Sequence, residues 1–237
     1  MKKLILFALL LALCSSASAQ SRRKQNSFEA GFLFGLTFYS GDLTDDPIEL
    51  NETHTGYGAF VRYGFNRNFA LRGHVYSGAI SGDDRNSATL QYRSFRFSTS
   101  IIELGLVGEW SPFAREHYSS TGVHKVRLTP YLFGGVGRTF ASTQAEYYGP
   151  PDQRDEILRV PFPEPNLPTQ FWMTPVGVGL RADLFERVVI GTEVGWRPVF
   201  SDAIDGIKQN ANPKSGDWYY FAGATVSFVL SDPQRYR

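Results

Sequence analysis

The sequence has 237 residues, which is enough for one ordinary domain, and its formal net charge is only +1. A charge this small gives no electrostatic basis for binding nucleic acid, so we expect no nucleic-acid partner. Cys14 is the single cysteine, which excludes a disulfide framework and a thiolate metal site.

The N-terminal segment predicts a secretory signal peptide. Two lysines precede an apolar run over residues 4–13, and small residues lead to position 19. This order is that of a signal peptide, and the run is about half as long as a membrane-spanning helix. We therefore expect a signal at 1–19 and one mature domain at 20–237. Cys14 would suit a lipoprotein signal instead, but Leu13 before it is larger than the residue usual there.

The first mature element is a strand over residues 27–39. Phe28, Phe32 and Phe34 share one face with other apolar residues, while Glu29 lies on the opposite face. A period of two residues indicates a β-strand. The uniformly apolar face extends over about the 9–11 residues that a tilted strand needs to cross a bilayer.

Seven further segments repeat this period of two. They cover residues 55–65, 69–80, 95–110, 126–140, 170–184, 188–199 and 218–230. In the fourth strand, Phe95 and Phe97 share the face of Glu103 rather than the apolar face. This mismatch predicts a β-bulge, or a limit to the strand pairing, near Thr99.

The connections between these strands alternate in length. Residues 66–68 and 185–187 form tight turns, and the long segments are 40–54, 81–94, 141–169 and 200–217. Transmembrane barrels have short periplasmic turns and longer outer loops. Segment 111–125 is the exception, being long where a short turn is expected. The sequence therefore predicts an all-β fold, an eight-stranded antiparallel transmembrane β-barrel in the outer membrane.

An eight-stranded barrel has an interior that side chains just fill. The titratable residues that we expect inside are Glu29, Arg62, Arg72, His74, Arg96, Glu103, Glu109, Arg138, Arg181, Asp183, Glu193 and Arg197. Charges at that depth must be paired or hydrated. We interpret them as a structural network that plugs the barrel, and a gated narrow conduit is the alternative.

The sequence offers no catalytic constellation. A hydrolase needs a base, an orienting carboxylate and a nucleophile, yet no spacing links His54, His74, His117 or His124 to a serine motif. We therefore expect no catalytic residue, no cofactor and no small-molecule substrate.

Two features of the long loops could contact other molecules. Acidic residues gather at Asp42, Asp45, Asp46, Glu49 and Glu52, and again at Asp202, Asp205 and Asp217. Their spacing is not that of an EF-hand, so we interpret them as solvated charges and predict no metal site. In loop 141–169, stiff and aromatic residues indicate either a protein contact or a loop folded over the barrel mouth. They are Tyr147, Tyr148, Pro150, Pro151 and Phe162.

Several runs of residues resemble a known family. They are YSGDL at 39–43, TPYLFGGVG at 129–137, EVGWR at 193–197, FSDAID at 200–205 and DWYYFAG at 217–223. Together they are similar to the small outer-membrane β-barrels of Bacteroidota, the family that includes PorG of the type IX secretion system. The resemblance covers nearly the whole mature chain. Residues 231–237 depart from the usual pattern, since they lack the terminal aromatic of barrel assembly signals.

The resemblance implies a non-enzymatic barrel that works with a periplasmic ring built from the lipoprotein PorK and its partner PorN. Outer-membrane lipid and this ring are therefore the expected partners. A general small barrel of the OmpA/OmpX type, serving membrane integrity or adhesion, is the alternative that the residues leave open.

Overall fold

The computed structural model describes residues 26–40, 52–86, 91–114, 126–153, 157–158, 160–165, 167–201, 203–207 and 217–231. Its strands are β1 (Ser27–Ser40), β2 (His54–Gly64), β3 (Phe69–Asp83), β4 (Phe95–Trp110), β5 (Leu128–Tyr147), β6 (Gln170–Met173), β7 (Val176–Asp183), β8 (Val188–Pro198) and β9 (Trp218–Val229). Among these residues, no helix is long and apolar enough to cross a membrane. The predicted signal peptide at 1–19 lies outside the described residues.

The nine strands form one antiparallel sheet that closes on itself. Neighbours in sequence pair with each other except β6 and β7, which both pair with β5. The ring is completed by the pairing of β1 with β9 and of β4 with β5. Closure leaves no open edge along the paired length, so the backbone groups there find partners within the sheet.

Strands β6 and β7 together occupy one position in the ring. Both pair with β5, and the register is the same on either side of the break, with Met173 opposite Gly137 and Val176 opposite Gly134. The break contains Pro175, which has no N–H to donate, although its carbonyl still accepts from the Gly135 backbone. The ring therefore has eight positions around it, as the pattern predicts, but nine separate strands.

The prediction of a bulge or a pairing limit near Thr99 was wrong. Strand β4 keeps an unbroken register with β3 and with β5 from Phe95 to Trp110. Phe95 and Phe97 do point to the same side as Glu103. That side is the interior of the ring, which is apolar where these two residues lie. Two strands also run further than predicted, β3 to Asp83 and β5 to Tyr147.

The interior is layered. At the end nearer the turn at 65–68 it is charged, and at the opposite end, which we call the loop side, it is a hydrophobic core. The core residues are Leu33, Tyr39, Phe60, Tyr76, Ile80, Phe95, Phe97, Ile101, Ala141, Phe171, Met173, Val199, Ala203, Ile204, Ile207, Tyr219 and Phe221. Side chains therefore fill the enclosed space from both ends.

The outer face of the sheet is apolar and exposed over most of its height. Phe32 is 58% exposed, Val178 is 54% and Leu106 is 50%. Exposed large apolar residues occur on every strand of the ring. A continuous apolar surface of this kind is unusual on a protein surrounded by water.

Candidate functional site

The interior of the closed sheet contains a chain of alternating charges at the end nearer the turn at 65–68. We call it the lower charge chain, and we use "upper" for positions nearer the loop side. In order, it runs Arg181, Glu29, Arg62, Glu109, Arg72 and Glu193. The successive N···O distances are 3.0, 2.8, 2.5, 3.2 and 2.7 Å. These side chains come from six different strands. The charges that burial would otherwise destabilise are therefore paired across the whole interior.

A second group, the upper charge cluster, is centred on Glu103. His74 Nε2 lies 2.6 Å from one carboxylate oxygen of Glu103, while Arg197 Nε and the Tyr219 hydroxyl each donate to the other at 2.8 Å. Glu103 is fully buried. Gly105 makes room for His74, since a Cβ at that position would lie 2.3 Å from the imidazole Cε1.

The structure places ten of the twelve predicted interior residues inside. They are Glu29, Arg62, Arg72, His74, Glu103, Glu109, Arg181, Asp183, Glu193 and Arg197. For Arg96 and Arg138 the prediction was wrong. Inward positions on β4 and β5 are odd-numbered, so both arginines point outward. Arg96 pairs with Glu146 at 2.5 Å, and Arg138 donates to Gln170 at 2.8 Å.

Residues 203–207, which follow β8, cap the loop side from within. The Ile204 carbonyl accepts from the hydroxyls of Thr99 and Thr143, both at 2.9 Å. Asp205 and Asp217 are buried, and the Tyr39 hydroxyl lies 3.2 and 2.8 Å from their carboxylates. We call residues 203–207 the loop cap.

The interpretation of Asp205 and Asp217 as solvated loop charges was therefore wrong. They fasten the loop cap inside the ring, since they also accept from the Ile207 and Ile204 backbones. The sequence signal that could have found the cap is the group of apolar residues within an otherwise polar loop, Ala203, Ile204 and Ile207. The other acidic candidates, Asp42, Asp45, Asp46, Glu49 and Asp202, lie outside the described residues.

The aromatic residues of loop 141–169 pack against their own chain. Phe95 lies 5.3 Å from Phe162 and 5.7 Å from Tyr147, measured between ring centroids. These contacts fit a loop folded over the mouth of the ring. Pro150 and Pro151 are exposed and leave a smaller surface for a partner.

Tyr148 ties this loop to the end of β3. Its hydroxyl donates to Asp83 at 3.3 Å, and the Arg85 guanidinium lies 4.9 Å from the ring centroid. Burial, together with the nearby Asp83 carboxylate, raises the pKa of Tyr148 to about 12. The hydroxyl therefore stays protonated, and keeps this contact, at pH values where an ordinary tyrosine would ionise.

Asp84 holds the start of β4. Its carboxylate accepts from Arg93 Nη2 at 2.9 Å and from the Phe95 backbone at 3.0 Å. Burial raises the pKa of Asp84 above its ordinary value.

The structure brings one histidine next to a serine that sequence spacing did not connect. His54 Nε2 lies 2.8 Å from Ser81 Oγ, and Ser81 contacts Glu52. The carboxylate contacts the serine and not the imidazole, which is not the order of base and orienting group in a catalytic triad. His117 and His124 lie outside the described residues. Within the described ranges, no three His, Cys, Asp or Glu residues are grouped to hold a metal ion.

Several solved structures of bacterial proteins are similar to this chain. The N-terminal β-barrel domain of Pseudomonas aeruginosa OprF is 15% identical, with a TM-score of 0.41 over 88% of this chain and 100% of that one. Neisserial surface protein A is 10% identical, with a TM-score of 0.47 over 86% and 99%. A major outer membrane protein from Thermus thermophilus is 15% identical, with a TM-score of 0.45 over 86% and 99%.

A comparison with curated proteins gives no significant match. A family model does match, and it extends over residues 2–236, nearly the full length of the sequence. The chain therefore belongs to the family described as "Domain of unknown function (DUF6089)".

Proposed function

We propose that the closed sheet is a non-conducting, non-enzymatic β-barrel of the bacterial outer membrane, reached by means of the signal peptide predicted at 1–19. The observation that carries this proposal is the combination of an exposed apolar outer face with an interior filled by paired charges. Lipid would cover the outer face. The interior would leave no path for solute.

The outer face has a boundary at the height expected for a bilayer. On β4 the outward residues are apolar from Ile102 to Trp110, whereas Ser98 and Ser100 above them are polar. The paired strand changes at the same level, with Ser142 opposite Ser100. The apolar stretch at 102–110 matches the roughly 9–11 residues that a tilted strand needs to cross the hydrocarbon. The sheet above this boundary would stand outside the membrane.

Conductance across planar bilayers tests the closed interior. The purified protein should insert without steady current, because the lower charge chain, the apolar core and the loop cap close the interior in series. A general porin added to the same bilayer should give stepwise increases in current, which shows that the recording can detect open channels. A stable, large open state of this protein would refute the proposal.

We further propose that the barrel serves type IX secretion by docking the periplasmic PorK/PorN-type ring. The support is the sequence resemblance together with a filled interior, which moves the function to the ends of the barrel. A tagged barrel should co-purify the ring lipoproteins, and its deletion should block cargo secretion. Normal secretion after deletion, with no ring protein bound, would count decisively against this role.

A general role in membrane integrity or adhesion is the second candidate. It is favoured by the part of β4 and β5 that extends above the apolar boundary and presents exposed polar residues such as Arg96 and Gln144. Under this alternative, deletion should cause detergent sensitivity or loss of surface binding while cargo secretion continues. The two deletion phenotypes separate the candidates.

A further inference from the structure

Arg138 is a cation in the apolar outer face. It lies on β5 between Val136 and Phe140 on the same face, opposite Leu104 on β4 and Trp172 on β6. Other outward-facing charges in the described strands are paired, Arg96 with Glu146 and Asp83 with Arg85. In the described part of the chain, Arg138 has no carboxylate partner.

The side chain of Arg138 is directed toward the loop side. Its Nη2 donates to Gln170 Oε1 at 2.8 Å, and Gln170 pairs with Phe140, two residues nearer the loops. The guanidinium carbon also lies 5.3 Å from the centroid of the Trp172 ring. A long basic side chain that bends from an apolar surface toward the membrane–water interface places its charge at the level of lipid headgroups.

Arg138 and Gln170 have N–H groups that donate to no acceptor among the described residues. Arg138 Nε is buried without a hydrogen-bond partner, and only Nη2 of the guanidinium donates within the described residues. Gln170 uses its carbonyl oxygen to accept from Arg138, so its amide N–H₂ group is left to donate. An arginine and an amide side by side, braced by an aromatic ring, match the oxygens of a phosphate group.

We propose that Arg138, Gln170 and Trp172 bind the phosphate of an outer-leaflet lipid. This inference rests on the proposed membrane insertion, because only a bilayer would bring a headgroup to this height. Arg138 supplies the positive charge, Gln170 adds a neutral donor, and Trp172 packs at the interface where indole rings favour partial hydration. Lipid A and phosphatidylglycerol both carry the required phosphate.

Lipid titration followed by native mass spectrometry tests the site. The folded protein in maltoside micelles, which contain no phosphate, would be titrated with lipid A, with phosphatidylglycerol and with inorganic phosphate. Arg138→Met keeps most of the apolar stem and should weaken binding of at least one lipid about tenfold, the loss expected for one charge-assisted hydrogen bond. Arg138→Lys should retain part of the affinity, and Arg96→Met is the matched control that should change nothing.

The outcomes separate this inference from the proposed function. Equal lipid binding by the wild type and Arg138→Met would overturn the site, as would inorganic phosphate binding as tightly as lipid and with the same dependence on Arg138. Flotation with lipid vesicles tests insertion independently. A wild type that floats while Arg138→Met binds lipid normally refutes only the lipid site, whereas a folded wild type that fails to float refutes membrane insertion itself.

Discussion

At the residue scale, Glu103 is the side chain on which the upper charge cluster depends. It accepts from His74, Arg197 and Tyr219, and it is fully buried. Without this carboxylate, the Arg197 guanidinium would be left in the interior with no carboxylate in hydrogen-bond contact among the described residues. The cost of an unpaired buried charge is much larger than that of losing a surface pair.

We therefore expect Glu103→Ala to lower the free energy of unfolding by about 3–5 kcal/mol. Glu146→Ala removes a carboxylate from the half-exposed Arg96 pair and should cost less than about 1 kcal/mol. Denaturant unfolding of both variants in the same lipid vesicles measures the difference. Equal losses of unfolding free energy in the two variants would show that Glu103 is not needed to neutralise the buried charge of Arg197.

Tyr148, which follows the loop-side end of β5, gives a prediction about pH dependence. Its pKa is raised from 10.0 to about 12, so the folded chain favours the protonated hydroxyl. The stabilisation of this contact is therefore fully present below pH 10 and is lost as the pH rises toward about 12. The difference in tyrosinate absorbance between wild type and Tyr148→Phe should show one group titrating near 12. A difference curve centred near 10 would contradict the contact with Asp83.

At the scale of elements, the loop cap depends on a backbone conformation that favours glycine. Gly206 has a φ of +79°, and a Cβ there would lie 2.9 Å from Thr143 Cγ2. The left-handed region is costly for residues that carry a Cβ. The cap can therefore turn back inside the ring because position 206 is glycine.

Gly206→Ala should accordingly destabilise the protein by about 1–2 kcal/mol. Gly73→Ala is the matched control, because the nearest atom to a Cβ there is 3.9 Å away and the residue is in a strand. Limited proteolysis of the loop cap and the unfolding free energy both report on the change. A larger loss for Gly73→Ala than for Gly206→Ala would be inconsistent with the packed cap.

At the scale of the whole molecule, the outer face divides into an apolar belt and a polar extension. Val178 lies in the belt and Ser100 lies just above its boundary, both pointing outward. If lipid surrounds only the belt, a charge has very different effects at these two positions.

Val178→Arg should cost about 2–4 kcal/mol in lipid vesicles if that position is near the bilayer midplane, whereas Ser100→Arg should change stability little. The comparison is made by denaturant unfolding after reconstitution. If both variants are as stable as the wild type, the belt is not in contact with hydrocarbon.

The period of two in the sequence was sufficient to predict eight positions around a ring and the facing of most side chains. It works because successive residues of a strand point to opposite sides, and because the enclosed interior and the outer face of the sheet select different residues. Arg96 and Arg138 were misplaced because charge suggested the interior, although position along the strand puts both outside. The break at Pro175 interrupts pairing without changing the register, and the period alone does not show it.

What only the tertiary structure decided is which distant residues meet. The lower charge chain joins side chains from six strands, and Glu103 meets Arg197 across the ring. The loop cap enters the core because closure leaves an apolar space at the loop side that Ala203, Ile204 and Ile207 can fill. By itself the sequence determined the alternation and the candidate charges, since these depend on local geometry. Their pairing and the buried roles of Asp205 and Asp217 depend on closure of the sheet, which brings together residues far apart in the chain.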